Sequence, residues 1–312
     1  MVAMPQPDDP AEPHVLPGEI CVIANAASGT NARDTEAIDR ALSIFGEAAR
    51  LEHWSPDQDL ERVVNQAIEN GARTIVAAGG DGTAMAVAQA LLGSPVALAV
   101  LPLGTFNYFA RGLGLPEDPE AAARAILAGH RHDISVGMVD DQVFLNNASL
   151  GVYPAILKER ETVYKRWGRR RIMAHWSVLK TFLRFQRPMK MRLTADGETR
   201  EVRAPLLFVA RSSYQLERFG LAGQQAISND NFAVLIGRAT SRGKLFKITW
   251  RLVTGTMQEG RDYDMLAARD LKVETSRPRT LVAFDGEKST KKSPFHFRMA
   301  ERPLTIILPE AA

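Results

Sequence analysis

Among 312 residues there is a single cysteine, Cys21. That excludes an internal disulfide and fits a reducing compartment. Cys21 stands inside the apolar run Ile20-Cys21-Val22-Ile23 and reads as a small buried hydrophobe. No run reaches the ~18 apolar residues of a membrane-spanning helix. The N-terminal stretch is rich in Pro and Asp and lacks an apolar core, so it does not read as a secretory signal. Residues 1–17 are expected to form a disordered tail. No internal repeat is evident, and no RNA- or DNA-binding module frames the basic residues, so nucleic acid is not an expected partner.

What is present is apolar material, 45% of the chain, enough for one large or two medium domains. Net charge is only +3, but it is unevenly spread. Lys158 to Lys190 holds eleven of the 39 Lys/Arg and two of the 36 Asp/Glu, leaving 28 basic and 34 acidic residues elsewhere, a net of −6. In that segment Ile172, Trp176, Leu179 and Leu183 share one helical stripe, rimmed by Arg169, Arg170, Arg171, Lys180, Arg184 and Arg187. A basic, Trp-bearing amphipathic segment suits an anionic membrane surface, and equally a helix packed on the core with a solvated basic face.

The chain is organised around Thr74-Ile75-Val76-Ala77-Ala78-Gly79-Gly80-Asp81-Gly82-Thr83. A β-branched run meets glycines, a carboxylate and a hydroxyl, and an apolar-periodic helix follows. Glycines let backbone N–H groups approach a ligand, and the helix N-terminus favours phosphate. Asp81 would repel phosphate, so it reads as a ligand, direct or through water, for a phosphate-bound Mg²⁺. Val96 to Pro102 and then Leu103-Gly104-Thr105-Phe106-Asn107-Tyr108 repeat the pattern. Two such turns at strand ends describe a nucleotide crevice. Ile20 to Ala24 with Asn25-Ala26-Ala27-Ser28-Gly29-Thr30 reads as a third strand and small-residue turn. Downstream the period changes to 2: Met189–Ala195, an Asp196-Gly197 hairpin turn, Glu198–Ala204, Leu206–Arg211 and Phe232–Ala239. Val282-Ala283-Phe284-Asp285-Gly286-Glu287 ends the pattern; if the strand continues, Asp285 and Glu287 share a face, and the local alternative is a hairpin with two solvated acids.

The Gly79-Gly80-Asp81-Gly82-Thr83 turn, Pro102-Leu103-Gly104-Thr105-Phe106-Asn107 and the late Asp285-Gly286-Glu287 together resemble the diacylglycerol kinase-like lipid kinases. The resemblance runs from about Ile20 to Pro309. It implies an α/β fold of two domains: a three-layer nucleotide-binding domain over 18–133 and an antiparallel β-sandwich-type, lipid-binding domain over 134–312, with the last strand, Leu304–Leu308, returning to the first or packing beside it. It also implies ATP and Mg²⁺ as cofactors, a lipid of the membrane as substrate, and a cytoplasmic protein peripheral to the inner membrane face through Lys158–Lys190. A homodimer is compatible with it. Nucleotide contacts fall on Asn25, Ala26, Ala27, Ser28, Gly29, Gly79, Gly80, Asp81, Gly82, Thr83, Gly104, Thr105 and Asn107. The catalytic set is Asp81 with Asp285 and Glu287, one of which is the base; spacing does not choose between them. Metal ligation falls on Asp81 and Asp133, and a second, structural ion on Asp230 with the carbonyls of Ile227 and Phe232. The chain departs from the family pattern at Met85, Ala86 and Tyr108. A soluble NAD kinase-like enzyme and an inactive lipid- or nucleotide-binding protein are the alternative readings.

Overall fold

The structure, a computed structural model, describes residues 19–25, 32–55, 57–151 and 188–309. The positions 26–29 and most of the basic segment, 158–187, lie outside the described residues.

The first sheet is built from short strands, apolar in its interior and mixed in character at its edge. These are β1 (Ile20–Asn25), β2 (Ala49–Trp54), β3 (Thr74–Gly79) and β4 (Ala97–Pro102). β1, β3 and β4 are almost wholly buried, the pattern of parallel strands covered on both faces. Cys21 lies buried in β1. Helices α1 (Ala32–Phe45), α2 (Leu60–Glu69), α3 (Asp81–Leu91), α4 (Tyr108–Gly112) and α5 (Pro119–Leu127) connect them. Starts are set locally: the Asp59 carboxylate accepts the N–H of Glu61 at 3.0 Å, and that of Asp118 accepts Ala121 N–H at 2.9 Å with Pro119 just inside the helix.

β5 (His130–Ile134) leads to β6 (Gly137–Val139), β7 (Gln142–Phe144) and β8 (Asn147–Gly151). β9 (Met189–Ala195), β10 (Glu198–Ala204), β11 (Leu206–Ala210) and β12 (Phe232–Gly237) follow, with short helices α6 (Ser213–Arg218) and α7 (Gln224–Ser228) between the last two. After α8 (Arg242–Val253) come β13 (Tyr263–Ala268), β14 (Asp270–Thr275), β15 (Arg279–Phe284), β16 (Glu287–Lys292), β17 (Phe295–Met299) and β18 (Leu304–Leu308).

Three six-stranded sheets result, in the orders β2-β1-β3-β4-β18-β5, β10-β9-β14-β17-β6-β7 and β13-β12-β11-β8-β15-β16. The first is parallel except for β5, which runs against β18. The other two are antiparallel and face each other. Phe144 from one stacks on Phe232 from the other with ring centroids 5.7 Å apart, and Phe297, from the same sheet as Phe144, meets Phe144 edge-on at 6.4 Å. All three rings are fully buried, so they seal the sandwich. β18 enters the first sheet between β4 and β5, although the whole sandwich separates it from them in sequence. No helix among the described residues is long and apolar enough to cross a membrane.

Candidate active site

The two glycine turns leave the ends of β3 and β4, which are neighbours in register from Thr74–Ala97 to Gly79–Pro102. They touch backbone to backbone. A Cβ on Gly104 would lie 2.5 Å from the Gly80 Cα and 2.6 Å from Asn107 Oδ1. The Leu103 N–H donates to Gly79 O at 2.9 Å, which locks the turns together. α3 begins at Asp81 with Gly80 as its cap residue, so its free N–H groups lie in this turn. Gly104 and Thr105 are exposed, and Asn25 ends the adjacent strand β1. Thr83 is buried beneath Gly79 instead of lining the open edge. Met85 also faces the core.

Asp81 does more than face a ligand. Its carboxylate accepts the N–H of Tyr108 at 3.1 Å and of Phe109 at 2.9 Å, and the Asn146 amide donates to it at 3.3 Å. It thus caps α4 and draws the second turn onto the first. Asn107, held at φ 50°, donates its amide to Gly104 O at 3.0 Å. The amide oxygens of Asn107 and Asn146 are buried and accept no hydrogen bond.

Asp285 and Glu287 part company. β15 and β16 form a hairpin with Phe284 opposite Glu287, and Asp285-Gly286 is its two-residue turn at φ 46° and 90°. The strand does not continue, so the expectation of a shared face is corrected. Asp285 turns inward and is 7% exposed. Its carboxylate accepts the N–H groups of Leu145, of Asn146 at 2.8 Å and of Asn147 at 3.1 Å. Burial pushes its pKa from 3.8 up to about 7; the three N–H donors pull it down, and the Asp81 charge raises it further. Glu287 is exposed, and its Oε1 lies 3.0 Å from where a Gly82 Cβ would stand. The last hairpin of the sandwich therefore lays a carboxylate on the first glycine turn.

The other carboxylate expected here is elsewhere. Asp133 pairs with Thr305 and accepts its hydroxyl at 2.7 Å, while Ile306 pairs with Leu98 near the start of β4. Asp133 thus stands where the parallel strands begin, a strand's length (~17 Å) from their glycine-bearing ends. Its pairing with Asp81 is corrected on that ground, because β5 runs backwards. Asp230 and Ile227 do lie together, but an arginine stands between them: Arg211 donates to Asp230 Oδ1 at 2.6 Å and to Ile227 O at 3.4 Å. Phe232 opens β12 opposite Ala268, with its ring in the sandwich core. Asn146, Asn147 and Arg211 were not singled out from sequence. The paired Asn after Phe144 was the one local signal, since buried amides need partners.

Among the described residues no three of His, Cys, Asp and Glu gather closely enough to hold a metal ion. Asp81 with the free amide oxygens of Asn107 and Asn146 is nevertheless an all-oxygen set of low charge. That fits Mg²⁺ carried largely by phosphates and water.

A family model described as "Diacylglycerol kinase catalytic domain" matches residues 19–139. A second, "YegS C-terminal NAD kinase beta sandwich-like domain", matches residues 153–308, half of the chain. The chain belongs to the diacylglycerol kinase-like lipid kinase family. The "Probable lipid kinase YegS-like" of Pseudomonas aeruginosa (strain UCBPP-PA14) is 46% identical over 97 residues, 30% of this chain and 32% of that protein. The chain thus spans about a third of the length of that curated relative. A diacylglycerol kinase of Mycobacterium tuberculosis (strain CDC 1551 / Oshkosh) is 26% identical over 286 residues, 86% of this chain and 89% of its own. The crystal structure of a diacylglycerol kinase from Bacillus anthracis str. Sterne superposes with TM-score 0.64 at 17% identity, covering 94% of this chain and 97% of that one. It has the same fold.

The buried carboxylate makes this family member's stability depend on pH. Asp285 holds its proton more tightly folded than unfolded, so its contribution is complete below pH 3.8 and is lost as pH rises through about 7. The expected slope in between is up to ~1.4 kcal/mol per pH unit. Urea unfolding across that window should show stability falling with pH in the wild type. Asp285→Asn should remove that component of the slope; an unchanged slope would show that Asp285 does not titrate there.

Proposed function

We propose that the chain is an ATP- and Mg²⁺-dependent lipid kinase that passes the γ-phosphoryl of ATP to a hydroxyl of a membrane lipid, such as diacylglycerol, ceramide or a sphingoid base. The observation that carries this reading is Glu287 beside Gly82. A carboxylate from the second domain overhangs a helix N-terminus and two glycine turns of the first, where a phosphate chain would lie.

In this reading Gly79, Gly80, Gly82, Gly104 and Thr105 leave room for the phosphates and donate N–H groups, with Asn25 beside them. Mg²⁺, held at Asp81 and the amide oxygens of Asn107 and Asn146, would neutralise phosphate charge. Glu287 accepts the proton of the lipid hydroxyl as its oxygen attacks the γ-phosphorus, and ADP leaves. Geometry comes before pKa in choosing a base. Asp285 has the pKa of a base at neutral pH, but both its oxygens are bound to backbone N–H groups. It holds the loop 145–147, and through Asn146 the Asp81 carboxylate, in place. The protein would work at the cytoplasmic face of the membrane, with Lys158–Lys190 against anionic lipid.

Incubating the purified chain with γ-labelled ATP and dispersed diacylglycerol, ceramide, sphingosine or NAD tests this. Label in lipid is expected. Label on NAD alone would favour a soluble kinase, a reading that the NAD kinase-like description of the sandwich family supports. Label on none would mark a binding protein.

Asp81→Ala should abolish turnover and also destabilise the fold. It strips two N–H groups of α4 and one amide of their acceptor, a loss of ~1–2 kcal/mol for a helix cap. Urea denaturation reads the second effect independently of the first; an Asp81→Ala protein as stable as wild type would refute the capping role.

A further inference from the structure

Arg211 follows directly on β11, and its side chain is 12% exposed. Each of its guanidinium nitrogens has a different acceptor. Nε donates to Ser135 O at 3.2 Å, Nη1 to Ile227 O at 3.4 Å and Nη2 to Asp230 Oδ1 at 2.6 Å. The other Asp230 oxygen receives the Ser135 hydroxyl at 3.4 Å and pairs with Arg269 Nη2 at 3.2 Å. Ser135 lies in the two-residue passage between β5 and β6, where the chain leaves the first sheet for the second. One planar cation thus ties together that passage, the carbonyl end of α7 and the turn before β12.

Ile227 and Asp230 are two of the ligands that the family resemblance implies for a structural divalent ion. They do not fit one here. A divalent ion needs its oxygens at about 2.0–2.6 Å, and the guanidinium already occupies the space between them. Charge argues the same way. The single carboxylate of Asp230 already faces two arginines, so an added divalent ion would set four positive charges against one negative.

We infer that this turn carries its own cation: Arg211 takes the place of a divalent ion and fastens the Asp230 turn to the passage between the sheets at Ser135. The guanidinium fork bonds three acceptors at fixed angles, which lysine's point charge cannot do. The sandwich then needs no free metal ion to close, and chelator leaves it intact. This inference rests on the Arg211 geometry and not on the kinase reading.

The test uses the full chain without nucleotide and never measures turnover. Mn²⁺ is the probe, counted by electron paramagnetic resonance, and thermal unfolding is followed in EDTA and in excess Mn²⁺. The number of Mn²⁺ ions bound should be the same in wild type and Asp230→Asn. A Mn²⁺ bound by wild type, lost in Asp230→Asn and kept in Asp81→Asn would overturn the inference. Arg211→Ala frees the acceptors: its Tm in EDTA should fall by several degrees and be restored by Mn²⁺, a response that Arg211→Lys should lack. An Arg211→Ala protein with the wild-type Tm in EDTA would also overturn it. Should Arg211→Ala not fold, the Asp230→Asn and Asp81→Asn counts decide alone.

Discussion

Glu287→Gln should lower kcat by ~10²–10⁴-fold while leaving ATP affinity close to wild type, the usual loss when a general base is removed. The amide keeps the length and shape of the side chain, so the hairpin and its approach to Gly82 are kept, and Glu287 is exposed. What disappears is the acceptor for the hydroxyl proton. Asp285→Asn should behave differently. Its amide would turn a donor toward the N–H groups of Leu145, Asn146 and Asn147, so the variant should lose stability and activity together. Single-turnover rates beside urea curves separate the two cases. Near wild-type turnover in Glu287→Gln, with a folded Asp285→Asn that is dead, would move the base to Asp285.

Gly104→Ala should damage nucleotide binding and stability together. The new Cβ would sit 2.5 Å from the Gly80 Cα, a contact with backbone that no rotamer relieves. The turns must separate, and the Leu103–Gly79 hydrogen bond and the Asn107 amide contact with Gly104 O go with them. Overpacking of this kind costs ~1–3 kcal/mol of stability. A displacement of about 1 Å at a catalytic site can cost ~10²-fold in rate. Calorimetric titration with a non-hydrolysable ATP analogue should therefore show binding weakened or lost, with unfolding shifted down. Gly80→Val should weaken the same binding, although its Cβ would clear the Gly104 Cα by 3.3 Å. If Gly104→Ala binds the analogue as wild type does, nucleotide does not lie between these turns.

Much of this was legible because the signals are local. Ile75–Ala78 is an unbroken apolar run ended by glycines, and its shortness, β-branched start and glycine stop favour a buried strand meeting a tight turn. Asp196-Gly197 announced its hairpin by the φ values that dipeptide tolerates, 47° and 92° in the structure. Asp285-Gly286 has the same chemistry and the same turn, so the hairpin was legible there as the local alternative; what the dipeptide does not show is that Asp285 turns inward and Glu287 outward. Asp133 was misplaced because strand direction is not written in strand composition: His130–Ile134 carries no mark that it runs against its neighbour. Arg211 was out of reach altogether. Its acceptors come from Ser135, Ile227 and Asp230, and only the closed chain brings those segments together.

The position of β18 has a consequence for how the chain is made. β4 ends at Pro102 and its neighbour begins at Leu304. On a ribosome adding residues at about 5–20 per second, the roughly 200 residues between them take ~10–40 s. For that interval β4 is an unpaired, wholly apolar edge, a template for the wrong partner. The sheet that carries the two glycine turns begins to form before the sandwich and is completed after it. Nascent chains of this protein are expected to depend on whatever shields that edge until the sandwich has been threaded back into the sheet.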